Sequence, residues 1–239
     1  MGKNLIEIAC PLCKYYLNLE EKYADSRFCH KCETLYTPYL DQSIYDRDYK
    51  DKYVKHSLSE TNKPIQKCRW NLVKKYKKEG YLLDVGCGTG AFLKESPEDF
   101  SSFGCDINYN CLQHCRQEGV KIIGNDLPNY SKKVDVITMF DVIEHYPDFK
   151  IIERVKRALK DDGYFIFCTP NFKKEYLEDL TNWRHYRPKG EHVFCLSENS
   201  VKTLAKLYGW IIEEINFDES QIRLPENNIA TYVLRKNLT

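Results

Sequence analysis

A short apolar run, Tyr81–Val85, ends in Gly86-Cys87-Gly88-Thr89-Gly90 and passes directly into a helical pattern from Ala91 to about Ser96. A strand that turns into a helix through three closely spaced glycines restricts the chain severely. The glycines permit a tight turn, and the first helical N–H groups are left pointing at whatever lies above the strand end. The same rhythm then continues. Strands are expected at Ser102–Cys105, Val120–Ile123, Val134–Phe140 and Tyr164–Thr169, with helices from about Tyr109 to Glu118 and over Phe149–Leu159. A helix over Ser197–Tyr208 follows, with Ser197 as its N-cap and Ser200 too short to close a capping box. Trp210–Phe217 and Ala230–Leu234 then read as a closing hairpin. Alternating strands and helices predict an α/β fold, a doubly wound, mostly parallel, seven-stranded Rossmann-like sheet.

The loop also indicates a ligand. Asp106 closes the next strand 20 residues after Gly86, where a carboxylate can accept both hydrogen bonds of a ribose diol. No Gly-Lys-Ser/Thr follows the loop, which excludes a Walker phosphate loop, and the glycine spacing departs from Gly-x-Gly-x-x-Gly. Asp84, at the strand end, would repel a pyrophosphate and suit a ligand carrying an ammonium and a sulfonium.

Asp84–Gly90 resembles the first motif of class I S-adenosylmethionine-dependent methyltransferases, and the resemblance runs from about Ile65 to Leu234. It implies that Asp84, Gly86, Cys87, Gly88 and Gly90 hold the methionine part of the cofactor, with Asp106 and Ile107 on the ribose side. Asn125-Asp126-Leu127 matches the position that meets the adenine, and Phe140 and Asp141 complete the expected cofactor contacts. The string Phe140-Asp141-Val142-Ile143-Glu144-His145 is similar to the fourth-strand motif of ubiquinone-type O-methyltransferases and of sugar methyltransferases. Pro188-Lys189-Gly190-Glu191-His192 resembles a substrate-side loop of the former group.

Methyl transfer to oxygen or carbon requires an aligned acceptor and removal of a proton. His145 is the expected base, with Glu144 orienting it or binding acceptor hydroxyls, and His192 and His185 are second candidates. Phe172, Trp183 and Tyr186 could line an acceptor pocket or simply pack. Two nucleic-acid chemistries are disfavoured. The Asn/Asp-Pro-Pro-aromatic string of DNA amino-methylation is replaced by Asp141-Val142-Ile143-Glu144, and no Pro-Cys nucleophile occurs.

Eleven cysteines are present, and four form Cys10-x-x-Cys13 and Cys29-x-x-Cys32, with 15 residues between the pairs. That spacing predicts a four-thiolate zinc ribbon, a closed structural site with no open metal position. N-terminal zinc modules also occur in the sugar C-methyltransferases that the chain resembles, where they help close the acceptor site. Tyr45, Tyr49 and Tyr53 recur at helical spacing and could form a lid. The expected domains are a ribbon (1–40), a helical linker or lid (41–79) and a methyltransferase unit (80–239).

Within the linker, Pro64 opens a helix with an apolar stripe of Ile65, Cys68, Leu72, Val73 and Tyr76 beside many lysines. The ribbon and this basic helix could hold a nucleic acid or protein substrate. However, 36 basic against 35 acidic residues, net +1, offers no bulk charge for nucleic acid. A small hydroxylated or keto acceptor, such as a nucleotide-linked sugar, is the favoured partner. No run of 18 apolar residues and no secretion-type apolar segment occurs, so a cytoplasmic chain with no membrane span is expected.

Overall fold

The structure is a computed structural model that describes residues 8–17, 22–23, 26–38, 59, 62–127, 133–186, 191–223 and 228–238. The expected lid tyrosines and Pro188-Lys189-Gly190 lie outside the described residues.

The N-terminal part is built from very short strands. β1 (Ile8–Ala9) pairs antiparallel with β2 (Tyr16–Leu17). β3 (Lys22–Tyr23), β4 (Ser26–Cys29) and β5 (Thr34–Tyr36) form an antiparallel meander. Both cysteine knuckles repeat one geometry. The residue after each second cysteine has positive φ (Lys14 60°, Glu33 56°) and donates its N–H to the first cysteine's carbonyl, at 2.9 and 2.7 Å.

α1 (Lys63–Tyr76) begins one residue before Pro64, which lies in its first turn. Its buried face differs from the expected stripe: Ile65, Gln66, Trp70 and Val73 are inside, whereas Cys68 is half-buried. The reason is Trp70, which stacks on Phe92 at 4.5 Å and donates Nε1–H to the Phe92 carbonyl at 2.8 Å. A large aromatic side chain dominates the burial of its helix face. This helix therefore packs against the α/β unit.

The remaining elements alternate. β6 (Gly80–Val85), α2 (Ala91–Lys94), β7 (Phe100–Cys105), α3 (Tyr109–Gln117), β8 (Ile122–Gly124) and β9 (Val134–Phe140) come first. A 3-10 turn (Ile143–His145), α4 (Lys150–Ala158), β10 (Leu159–Pro170) and a 3-10 segment (Lys174–Asn182) follow. β11 (Phe194–Cys195), α5 (Glu198–Tyr208), β12 (Trp210–Asn216), α6 (Asp218–Arg223) and β13 (Ile229–Lys236) complete the chain. The large sheet has seven strands in the order β12-β13-β10-β9-β6-β7-β8. β6, β7, β8, β9 and β10 run parallel, and β13 reverses against both β10 and β12.

β9 is buried along its whole length, as a strand covered on both faces must be. Its alternate side chains feed two cores. Ile137 and Met139 share one buried cluster with Ile152 and Val155 of α4 and Leu204 of α5, while Val136 and Phe140 share another with Trp70, Val73 and Phe92. The expected closing hairpin is present as the antiparallel pair β12–β13, with α6 in its connection.

One local expectation is corrected. Ser200 does close a capping box: its Oγ accepts from Ser197 N–H at 3.1 Å, and Ser197 Oγ accepts from Ser200 N–H at 3.1 Å. Ser200 is fully buried, and its Oγ also bonds Cys32 and Thr34, which hold the short side chain in reach of the cap.

The N-terminal sheet takes one strand from later in the chain. β11 adds to it in the order β11-β5-β4-β3, with Phe194 opposite Tyr36 and Cys195 opposite Leu35. Cys10, Leu12, Cys29 and Cys32 share one buried cluster with Phe149, Val193, Leu196 and Val201. Among the described residues, no helix is long and apolar enough to cross a membrane.

Candidate active site

In an open α/β sheet, ligands bind outside the carboxyl ends of the strands, where the strand order reverses. Here that point lies between β6 and β9. The glycine loop leaves β6 with Gly86, Gly88 and Gly90 all at positive φ (74°, 53° and 75°). At Gly86 the requirement is twofold, because an added Cβ would also lie 2.4 Å from Val142 Cγ2. The close approach brings the residues after β9 directly against the loop.

Asp106 fastens the loop from the next strand. Its Oδ2 accepts from Gly88 N–H at 2.8 Å and its Oδ1 from Asn108 N–H at 2.7 Å. Burial raises its carboxyl above the usual aspartate range. Asp84 is 3% exposed and accepts from Thr138 Oγ1 at 2.7 Å. Burial pushes its carboxyl up to about 7, although Thr138 and Arg69 oppose the rise. A buried carboxylate beneath an open glycine cradle favours a cationic ligand group, because a positive charge there would restore its ionised form.

Cys87 is buried within the loop, its Sγ close against Gly104. Ile107, by contrast, is 65% exposed beside Asp106. After β8, Asp126 accepts from Arg154 Nη2 at 2.8 Å and from Leu127 N–H at 2.7 Å, and Leu127 is buried. Asn125 follows β8 directly.

The segment after β9 carries two groups of charges. Asp141 adopts φ 58° and is bound by Arg69 Nη2 at 3.2 Å and by Arg223 Nη2. Burial would raise its carboxyl, but the charges of Arg223 and Arg69 more than reverse this and hold it well below the usual range. Arg69 also donates to Glu219 from Nε at 2.9 Å and from Nη2 at 2.7 Å, and its guanidinium lies 4.2 Å from the Phe140 ring centre.

This ion cluster was not legible in the sequence. Arg69 reads there as one more cation on a basic helix, and Glu219 and Arg223 carry no motif. The available signal was its position next to the buried Trp70. Lys75 of the helix pairs with Glu214 at 2.6 Å, and Lys77, just after it, with Asp162 at 2.6 Å.

The second group is Glu144, His145 and His192, whose side-chain ligand atoms all lie within 4.8 Å of one another. The two imidazoles meet edge to face at 4.8 Å. His145 Nδ1 donates to the Glu191 carbonyl at 2.7 Å, and His192 Nδ1 donates to the His185 carbonyl at 2.9 Å. A carbonyl can only accept, so the proton of each ring in its neutral form sits on Nδ1 and the lone pair on Nε2. Glu144 is 1% exposed, and its Oε2 has no hydrogen-bond partner among the described residues. Burial, reinforced by the charge of Asp141, pushes its carboxyl up to about 8, so at neutral pH it is mostly a protonated donor.

Phe172, Trp183 and Tyr186 are nearly or fully buried and form a core with Phe28 and Leu35 of the ribbon. His185 packs its ring on Trp183 at 5.6 Å.

At the N-terminus, the four Sγ atoms of Cys10, Cys13, Cys29 and Cys32 lie within 4.8 Å of one another. Cys10–Cys32 and Cys13–Cys29 are each 3.6 Å apart. A tetrahedral zinc with Zn–S bonds of about 2.3 Å sets its sulfurs about 3.8 Å apart, so the quartet fits that ion.

A seven-stranded sheet of this order, with β13 reversed and a glycine loop after β6, is the fold of S-adenosylmethionine-dependent methyltransferases. A structure of one such enzyme from Clostridium acetobutylicum aligns with TM-score 0.55 and 15% identity, over 78% of this chain and 96% of that one. A Pyrococcus horikoshii protein aligns with TM-score 0.56 and 22% identity, over 81% and 95%. Residues 57–215 match the family described as a methyltransferase domain, and the chain belongs to that family. The ribbon lies outside the matched stretch.

An uncharacterized Methanocaldococcus jannaschii protein is 32% identical over 115 residues, 46% of this chain and 51% of its own. A ubiquinone biosynthesis O-methyltransferase of Actinobacillus pleuropneumoniae is 30% identical over 149 residues, 54% of this chain and 62% of its own. The match thus spans about half the length of the first relative and under two thirds of the second.

Proposed function

We propose that the protein transfers the methyl group of S-adenosylmethionine to an oxygen, or an acidic carbon, of a small hydroxylated or keto acceptor. The observation that carries this reading is the Glu144, His145 and His192 cluster, set after β9 where Val142 touches the glycine loop. Similarity to ubiquinone biosynthesis O-methyltransferases supports an oxygen acceptor. Bound cofactor supplies an electrophilic methyl on a sulfonium sulfur. Gly86, Cys87, Gly88 and Gly90 would cradle its methionine part over Asp84, with Asp106 and Ile107 at the ribose. Asn125, Asp126 and Leu127 would meet the adenine, and Phe140 would floor the crevice. Asp141 would act there through its place between Arg69 and Arg223.

On the acceptor side, His145 takes the hydroxyl proton on Nε2, because Nδ1 is committed to the Glu191 carbonyl. His192 stands against it to share or relay that proton. Protonated Glu144 donates a hydrogen bond to an acceptor oxygen. Cys10, Cys13, Cys29 and Cys32 would hold a structural zinc with no role in proton movement.

His145→Ala is expected to lower kcat by about 100-fold or more while calorimetry finds the S-adenosylmethionine Kd nearly unchanged. Normal turnover in that variant, with any tested acceptor, removes the base role. Cofactor affinity should also depend on Asp84. A cationic ligand favours the ionised carboxylate, which burial holds near 7, so affinity should rise with pH. The expected change is about tenfold between about pH 6 and about pH 8. Asp84→Asn should flatten that profile, and a wild-type profile that is already flat would show that Asp84 does not meet the cation.

A further inference from the structure

The residues from Glu191 to Cys195 are held from two sides. On one side, β11 pairs with β5 of the ribbon, and Thr37 N–H donates to the Val193 carbonyl at 2.9 Å. On the other, Val193 N–H donates to the Glu144 carbonyl at 2.8 Å, and the Glu191 carbonyl accepts from His145 Nδ1. His192 sits between these bonds. Aromatic rings follow the same route: Tyr36 of the ribbon stacks on Phe194 at 5.4 Å, and Phe194 lies 4.3 Å from Phe149, just beyond the His145 turn.

The far end of the route is the cysteine site. Ser200 Oγ donates to the Cys32 carbonyl at 3.0 Å and accepts from Thr34 Oγ1 at 3.0 Å, while Thr34 Oγ1 lies 3.2 Å from Cys32 Sγ. Thr34 is the first residue of β5.

We infer that the ribbon positions the acceptor-side histidines: its loaded four-cysteine site fixes β5, β5 fixes β11, and β11 fixes His192 and the carbonyl that orients His145. Strands of two to four residues cannot hold a register alone, so the metal supplies the rigidity that this route transmits. The glycine loop is fastened separately. Gly86 and Cys87 N–H donate to the Cys105 carbonyl and Gly88 N–H to Asp106, with no ribbon residue among these bonds. Metal loading should therefore govern the acceptor side and spare the cofactor. This inference rests on the zinc and acceptor-site readings above.

The test uses the full chain, zinc-loaded and chelator-stripped, with three readouts: cofactor Kd by calorimetry, kcat, and the imidazole titrations of His145 and His192 by NMR. Stripping is expected to shift or broaden both titrations and lower kcat by about tenfold or more, while the cofactor Kd moves by less than about threefold. Unchanged titrations in a folded stripped protein overturn the inference, as does a cofactor affinity that falls in parallel with kcat.

Should stripping unfold the chain, Thr34→Val decides, since it keeps all four cysteines and removes one hydroxyl of the route. Normal zinc stoichiometry with shifted imidazole titrations supports the inference, and unchanged titrations overturn it. Turnover that survives His145→Ala would instead sink the acceptor-site reading, while the NMR result still reports on the route.

Discussion

Replacing Arg69 by methionine should lower the unfolding free energy by about 3 kcal/mol or more. The Arg69 side chain is 10% exposed and that of Glu219 is 2% exposed, so removing the guanidinium leaves a buried carboxylate short of two hydrogen bonds. Methionine keeps the volume and the packing against Phe140, so the loss isolates the charge. Arg223 still pairs with Glu219 and Asp141, which limits the cost.

The pH dependence follows from Asp141. Its carboxyl is held below the usual range in the folded chain, so its contribution is complete at neutral pH and is lost as pH falls through that depressed value. The difference between wild type and Arg69→Met should therefore be largest near neutrality and shrink in acid. Urea denaturation across that range measures it. A loss below about 1 kcal/mol at neutral pH would mean that the cluster behaves as a solvated surface pair.

Gly86→Ala should abolish measurable cofactor binding and cost about 2–4 kcal/mol of stability. Two causes add: a non-glycine residue at φ 74°, and a Cβ placed 2.4 Å from Val142 Cγ2. Val142 adjoins both Asp141 and Ile143, so its displacement would disturb the acceptor turn as well. Gly119→Ala is the control. Its φ is 75°, but nothing lies within 4 Å of an added Cβ. It should cost about 1–2 kcal/mol in backbone strain alone and leave binding intact. Equal binding losses in the two variants would mean that positive-φ strain and the lost stability, rather than the contact with Val142, are responsible.

Much of the α/β unit could be read from the chain because its signals are local. β9 runs over the seven residues expected, and the glycine loop sits between strand and helix with Asp106 reaching back to Gly88. Boundaries moved where the ladder rather than the side-chain pattern set them. β10 starts at Leu159, five residues before the apolar run that announced it, because Leu159 already pairs with Val134. The third strand is displaced to Ile122–Gly124, since Val120 N–H closes the end of α3 by bonding the Cys115 carbonyl. Phe172, Trp183 and Tyr186 show the limit of composition: an aromatic-rich irregular segment fits a pocket or a core equally well, and here the ribbon's Phe28 and Leu35 make it a core.

The sequence by itself determined the order of strands and helices, the conformation of the loop at Gly86 and the grouping of four cysteines into two knuckles. Each depends on residues a few positions apart, where φ preference, apolar period and ligand spacing act directly. Only the tertiary structure decided that Arg69 closes on Glu219, that His145 meets the strand after Glu191, and that the ribbon completes its sheet with β11. Those contacts join residues 150 and 46 positions apart, or two strands that share no local pattern. Burial and backbone pairing choose such partners, and neither leaves a periodic trace in the chain.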